Sequence, residues 1–382
     1  PEEADGQLIV LDLNPGGEAT LYVNGEVFGT HRADWISDSH HYIEDNILTE
    51  NGKPGERFEI YCEAYAGHDF PDGEVGCCAT GPVFPAVPME VDEKKLRRKL
   101  EASTYGIWNE DAYQLWMDVR TLQDIAESLP ESSLRAVKIL KALETFTFTV
   151  DFEQPQDKRI ESYREARKLL AKVMECKNGS TVPVFYGIGH AHLDVAWLWP
   201  LAETRRKVAR TFAAQIRLLE KYPEYRFLQS QPQLYAYCEE LYPELFKKVK
   251  HAIQRGQWIA EGGMWVEPDT NMPSGESLIR QLIHGLRYYR EKLGVESQLL
   301  WLPDTFGYSA ALPQILKGCG IKYLVTQKIF WNYNGSDLFP YHYFRWQGND
   351  GSEVTSYLPT SYTYTTNPKQ LLDVWDTRME RS

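Results

Sequence analysis

From about residue 181 the sequence alternates short apolar runs with longer stretches of helical periodicity, and this limits the fold more than any other feature. TVPVFYGIGH reads as a buried strand. Glu203 to Tyr222 reads as a helix, with Val208, Phe212, Ile216 and Leu219 on one face. RFLQSQ is a short strand, a helix follows from about Leu234 to Gln254, and WIAEGGMW is another strand. Ser274 caps a helix running to Lys292, with Leu278, Leu282, Leu286, Tyr289 and Leu293 facing inward. The strand QLLWLPD, a helix from Leu312 to Lys317 ended by Gly318 or Gly320, and the strand KYLVTQK continue the series. Parallel strands need a crossover, and the crossover is usually a helix. The repetition therefore predicts a parallel sheet covered by helices, either open or closed as a barrel.

The regions before it read differently. LIVLDLNPGGEATLYVNGEVFGTH holds two apolar runs split at Pro15-Gly16-Gly17, then a hairpin signal at Asn24-Gly25. ERFEIYCEAYAG alternates like a strand, and FPDGEVGCCATGPVFPAVP marks loops or a boundary. Four segments follow with helical spacing: VDEKKLRRKLEA, DAYQLWMDVRTLQDIAESL, SSLRAVKILKALETF and DKRIESYREARKLLAKVMEC. In the third, Leu134, Val137, Leu140 and Ala142 or Leu143 form the expected inner face. The fold class is thus multidomain α+β. A β-sandwich module spans 1–90, a helical connector 91–180, and a (β/α) parallel barrel-like domain 181–382.

Hydrophobic residues make up 43% and aromatic residues 13%, ample for buried cores. The 11 Trp and 23 Tyr suit such cores, and they also suit sites where sugar C–H faces stack on rings. A net charge of −13 excludes nucleic acid as the expected partner, since phosphates demand clustered Lys and Arg. The six cysteines form no CxxC pair, which points to a reducing compartment. No signal peptide and no membrane-spanning run is visible, so the expected location is cytoplasmic, with no membrane partner.

Active sites of α/β sheets gather at the carboxyl ends of strands. Here the successive ends carry His190, His192 and Asp194; Gln229 and Gln231; Trp265, Glu267 and Asp269; Asp304; and Gln327 with Lys328. In extended chain, residues i and i+2 share a face, so His192 and Asp194 can grip one ion. Imidazole nitrogen with carboxylate oxygen suits Zn²⁺. His190 is a ligand or a residue that orients one. Asp304 faces the same mouth or caps a turn. Glu267 and Asp269 are substrate contacts or loop caps.

Three long motifs carry a resemblance. GHAHLDVAWLWPLAETRRK, GGMWVEPDTNMPSGESLIRQ and WLPDTFGYSAALPQILKGCGIKYLVTQK resemble glycoside hydrolase family 38, the retaining α-mannosidases, and most nearly its cytosolic class. The likeness runs from about 181 to 360. It implies His192, Asp194 and Asp304 as zinc ligands, with Co²⁺ or another divalent ion as the alternative. It implies Asp304 as the catalytic nucleophile and Trp197 as the ring that stacks on mannose. It places Phe306, Lys328 and Tyr362 or Tyr364 along the substrate pocket, and His190 and Asp269 behind the ligands. The implied partner is a mannose-containing oligosaccharide, and homo-oligomers are common among such enzymes.

In that family a fourth ligand, a histidine, and the acid/base aspartate lie farther along than residue 382. The expectation is an amino-terminal portion whose catalytic domain is incomplete, which partners the remaining C-terminal domains and has little turnover alone. Two other readings remain open at this point. One is a metal-dependent deacetylase on a related barrel, and the other is a carbohydrate-binding fragment without turnover.

Overall fold

The computed structural model describes residues 1–13, 18–31, 47–65, 103–177, 179–180, 182–197, 199–330, 339–363 and 366–379. The chain divides into two compact units. Residues 1–107, 188–339 and 343–359 form the first, and 108–187, 340–342 and 360–382 the second.

The first unit opens with β1 (Ile9–Asp12), β2 (Glu18–Val23), β3 (Glu26–His31), β4 (Ile47–Thr49), β5 (Ile60–Tyr65) and β6 (Thr104–Ile107). They make two three-stranded antiparallel sheets, ordered β4-β1-β6 and β3-β2-β5. The Asn24-Gly25 hairpin forms as expected. Both residues have positive φ, 52° and 83°, which matches the twist of the flanking strands. β6 falls within the stretch expected to be helical. It is extended because it pairs with β1 along its whole length. The Pro15-Gly16-Gly17 turn, the Gly- and Pro-rich segment and all of VDEKKLRRKLEA lie outside the described residues.

In the second unit, α1 (Glu110–Ser128), α2 (Leu134–Thr149) and α3 (Gln156–Met174) pack around Leu115, Leu122, Ile139, Tyr163 and Leu170. Asn109 and Ser133 cap α1 and α2 by accepting the amides of Ala112 and Ala136. The inner face of α2 is not the one expected. Ala136 and Ile139 are buried, with Ala142, Leu143 and Phe146 packed beside them. Leu134, Val137 and Leu140 are exposed. Both stripes have helical spacing, and only the partner helices decide between them.

The rest of the first unit is the expected alternation. It runs β7 (Gly189–His190), α4 (Leu201–Lys221), β8 (Phe227–Gln229), α5 (Pro232–Leu241), α6 (Pro243–Gln254), β9 (Trp258–Ala260), α7 (Gly275–Tyr288), β10 (Leu299–Leu302), α8 (Leu312–Gly318), β11 (Tyr323–Thr326), β12 (Tyr343–Gln347) and β13 (Glu353–Tyr357). A last helix, α9 (Pro368–Met379), belongs to the second unit. Strands β7-β8-β9 are parallel, as are β10-β11-β13, with β12 antiparallel on the far edge. A parallel bridge from Gly262 to Leu300 joins the two sets.

Two expectations are corrected. TVPVFYGIGH contributes only Gly189 and His190 to the sheet. These pair with Phe227 and Leu228, while Val184 and Tyr186 ahead of them are exposed. The helix expected over 234–254 is two helices, because Tyr242 precedes Pro243 and takes a non-helical conformation.

Aromatic packing sets β8 and β9 in place. Trp258 is fully buried against Phe212, Phe227 and Tyr235, with ring centroids 5.0, 4.7 and 6.3 Å away. Its indole N–H donates to the Tyr235 hydroxyl, which donates to the Gln229 carbonyl, so both buried polar tips are satisfied. Gly285 lets α7 press on the chain after β9. A Cβ there would stand 2.1 Å from the Gly263 carbonyl oxygen.

The N-terminal strands are tied to α4 by charge. Lys207 and Arg210 meet Glu18 at 2.6 and 2.5 Å, Arg210 meets Glu203 at 2.6 Å, and Arg206 meets Glu63 at 2.5 Å. Burial alone would raise the Glu18 carboxyl, but Arg210 and Lys207 bring it down to about 2. No helix among the described residues is long and apolar enough to cross a membrane.

Candidate active site

The strand ends converge as the alternation predicts. Past β7 the chain carries His192 and Asp194 in a stretch without regular structure, and a Thr204 hydroxyl from the first turn of α4 donates to the Asp194 carbonyl at 3.2 Å. Past β10 comes Asp304. The next residue, Thr305, donates to the Pro268 carbonyl at 3.3 Å, which fixes the two loops together. His192 Nε2 lies 3.2 Å from Asp194 Oδ1 and 3.3 Å from Asp304 Oδ2. The other oxygen of Asp304 faces the buried Lys328 ammonium at 2.6 Å.

His192 Nε2, Asp194 and Asp304 all lie within 4.8 Å of one another. Ligands bonded at about 2.1 Å stand roughly 3.0 Å apart on an octahedron and 3.4 Å apart on a tetrahedron. The two separations from His192 Nε2 lie between those values and the carboxylates stand within 4.8 Å of each other, so one imidazole and two carboxylates suit a divalent cation. Burial would lower the His192 imidazole, but the carboxylates of Glu267, Asp194 and Asp304 hold it well above its usual range. The pocket is therefore strongly electronegative.

The two histidines differ. His190 donates from Nδ1 to the Leu228 carbonyl at 3.1 Å, and its Nε2 accepts the Trp301 indole N–H at 3.2 Å. Burial keeps it neutral by lowering its affinity for protons. Both of its nitrogens are occupied by the scaffold, so the group His190, His192 and Glu267, although close, offers no second ion site.

Glu267 and Asp269 also differ, and the pairing is the reverse of the expectation. Asp269 is exposed, and its Oδ1 accepts the amides of Asn271 and Met272 at 2.6 and 3.1 Å, which makes it a turn cap. Glu267 is the residue behind the ligand: its Oε2 lies 2.9 Å from His192 Nδ1. Its nearest-neighbour sequence, Pro-Asp-Thr-Asn, gave a turn signal that concealed this. Ser230 and Gln231 at the end of β8 also take part. The Ser230 hydroxyl donates to Glu267 Oε1 at 2.5 Å, and Gln231 bonds the Leu193 carbonyl at 2.8 Å and the Glu267 amide at 3.2 Å.

Of the expected substrate contacts, Trp197 is half-exposed and stands edge-on to Trp199, and Phe306 is 61% exposed with the Lys328 ammonium 4.8 Å from its ring centroid. Tyr362 belongs to the second unit, and Tyr364 lies outside the described residues.

Comparison with known proteins agrees with the motifs. The glycosyl hydrolases family 38 N-terminal domain matches residues 183–380. Alpha-mannosidase G of Dictyostelium discoideum is 36% identical over 366 residues, which cover 95% of this chain and 32% of that protein. Human alpha-mannosidase 2C1 is 36% identical over 364 residues, 95% of this chain and 33% of that one. The alpha-mannosidase of Saccharomyces cerevisiae is 38% identical over 307 residues, 77% of this chain and 27% of its own. The chain thus spans about a third of the length of the curated relatives it matches. On this likeness, and on the family domain that fills more than half of its length, the chain belongs to glycosyl hydrolase family 38.

Proposed function

We propose that this chain supplies the nucleophile and three metal ligands of a retaining α-mannosidase that removes terminal α-linked mannose from oligosaccharides. The observation that carries the reading is the gathering of His192 Nε2, Asp194 and Asp304 within 4.8 Å of one another, with the Lys328 ammonium against Asp304 and beside the Phe306 ring. The nitrogen and oxygen donors favour Zn²⁺, and Co²⁺ is accepted by the same set. The bound ion would hold sugar hydroxyls and favour a distorted ring.

The chain's own residues do the rest. Asp304 attacks the anomeric carbon as the bond from that carbon to the leaving oxygen breaks, and that oxygen takes a proton from an acid group. This leaves a glycosyl ester on Asp304, which water then hydrolyses. Lys328 faces the carboxylate with opposite charge and fixes its position. The exposed rings of Trp197 and Phe306 offer faces to sugar C–H groups. The cysteine pattern, with no CxxC pair, supports a cytoplasmic setting for this work.

The test is to trap the intermediate. A 2- or 5-fluoro mannoside with a good leaving group, added to the full-length protein, should add one sugar to the peptide holding Asp304, read by mass spectrometry. An unlabelled but chelator-sensitive protein that releases acetate from acetylated sugars would replace this reading with the deacetylase one.

A further inference from the structure

We propose that Glu267 is a positioning residue that sets the tautomer and aim of His192. The inference rests on the metal reading above and extends it to a residue outside the ligand set. An imidazole has two nitrogens with different duties, and which one offers a lone pair is decided by what the other one donates to. His192 Nδ1 stands 2.9 Å from Glu267 Oε2, and Nε2 looks toward Asp194 and Asp304. A proton held on Nδ1 by Glu267 leaves the Nε2 lone pair pointing at the ion. The negative charge behind the ring also makes that nitrogen a better donor.

Glu267 is built for the task from three directions. Its side chain is 7% exposed. Its second oxygen accepts from the Ser230 hydroxyl at 2.5 Å, and its backbone amide donates to Gln231 Oε1 at 3.2 Å. Gln231 in turn donates to the carbonyl of Leu193, the residue after His192, at 2.8 Å. One glutamine thus spans the loop that carries the histidine and the loop that carries the glutamate. It does so from a left-handed backbone, φ 62°, which a non-glycine residue adopts only where surrounding contacts demand it. Three consecutive strand ends, β7, β8 and β9, are linked through these side chains, and the link ends on His192 Nδ1.

His190 supplies the internal contrast. Its Nδ1 donates to a neutral carbonyl and its Nε2 is consumed by Trp301. The same residue type two positions away is locked as scaffold, and the 2.9 Å contact with Glu267 is made by the ring that faces the acidic pair.

The experiment measures Zn²⁺ affinity by chelator competition, and the visible spectrum of the Co²⁺ form, in the full-length protein. Wild type is compared with Glu267→Ala, Glu267→Gln and Ser230→Ala, with His192→Ala as the control for the site itself. Glutamine can still accept the Nδ1 proton through its amide oxygen, whereas alanine cannot. Glu267→Ala should weaken Zn²⁺ about 10- to 100-fold and alter the Co²⁺ spectrum. Glu267→Gln should recover most of the affinity and the wild-type spectrum, and Ser230→Ala should lose about threefold, all at the Tm of metal-free wild type. The proposal is overturned if Glu267→Ala binds Zn²⁺ like wild type. It is equally overturned if Glu267→Gln fails as badly as Glu267→Ala, since aim rather than bulk is what it asserts. If wild type and His192→Ala both bind no Zn²⁺, the metal reading itself falls and takes this one with it.

Discussion

Among the described residues of the first unit, two clusters of charge are balanced in opposite ways. Where the N-terminal strands meet α4, the carboxylates of Glu18, Glu63 and Glu203 face Arg206, Lys207 and Arg210, one cation for each anion. At the strand ends, Asp194, Asp304 and Glu267 face one permanent cation, Lys328, and an imidazole. The first cluster closes on itself. The second leaves a surplus of negative charge around a buried nitrogen, and low-dielectric surroundings make such a surplus costly unless a cation joins it. Charge balance, rather than the number of buried charges, separates a fastening from a site.

The sharpest way to break the comparison is to remove the surplus. Asp304→Asn keeps size and hydrogen bonding but subtracts one charge and the proposed nucleophile. Turnover of aryl mannosides by the full-length protein should fall on the order of 10³-fold or more. Zn²⁺ binding should weaken with it, while the thermal midpoint stays near wild type. A variant that keeps full turnover would remove Asp304 from the chemistry.

The fastening should answer in the reverse sense. Glu18→Ala leaves Arg210 and Lys207 buried with a single remaining carboxylate, Glu203, and uncompensated buried charge costs about 3–5 kcal/mol. Chemical denaturation should show that loss with unchanged Zn²⁺ affinity in the fraction that stays folded. Replacing Glu18, Lys207 and Arg210 together by apolar residues of like volume should restore much of the stability, because nothing at that junction needs the charge for chemistry.

The site was legible in the sequence wherever its logic is local. Alternation along HAHLD puts His192 and Asp194 on one side, and their facing atoms stand 3.2 Å apart. The apolar runs of β8 to β11 stand out because buried parallel strands leave no room for polar residues. Glu267 was hidden because its meaning depends on a histidine on another strand, and its own neighbours spell a turn. TVPVFYGIGH misled for the converse reason. Its alternation suits a sheet, but only its end has a strand beside it. On α2 two stripes compete, and α1 and α3 choose Ala136 and Ile139. Local patterning names what an element can bury, and the partner decides what it does bury.

The two glutamates that share Arg210 respond differently to acid. Glu18, with a folded pKa of about 2 against 4.5 unfolded, adds stability that is complete above the unfolded value and is lost as pH falls toward 2. Glu203 has the opposite sign. Burial raises it although Arg210 and Lys207 oppose the rise, so it stabilises less at neutral pH and its penalty is relieved in acid. Glu203→Gln should therefore cost only about 1 kcal/mol at pH 7 and abolish the relief that wild type gains from Glu203 as pH falls toward 4.5, with no further effect on the slope below that value. A Glu203→Gln protein that loses as much as Glu18→Ala at pH 7 would show that the two carboxylates are equivalent, and the shared-cation picture would fail.

The rim of the same fastening sets the lower bound. The Arg206 and Glu63 side chains pair at 2.5 Å, but they are 35% and 32% exposed. Water screens such a pair, so Arg206→Gln should cost less than about 1 kcal/mol, and less again in high salt. Raising salt should barely move the cost of Glu18→Ala, whose partner Arg210 is 2% exposed. Equal salt sensitivity at both positions, read from Tm across a salt series, would mean that solvent reaches the whole cluster. Its three-against-three balance would then be a surface pattern, and the contrast with the strand-end site would rest on the metal alone.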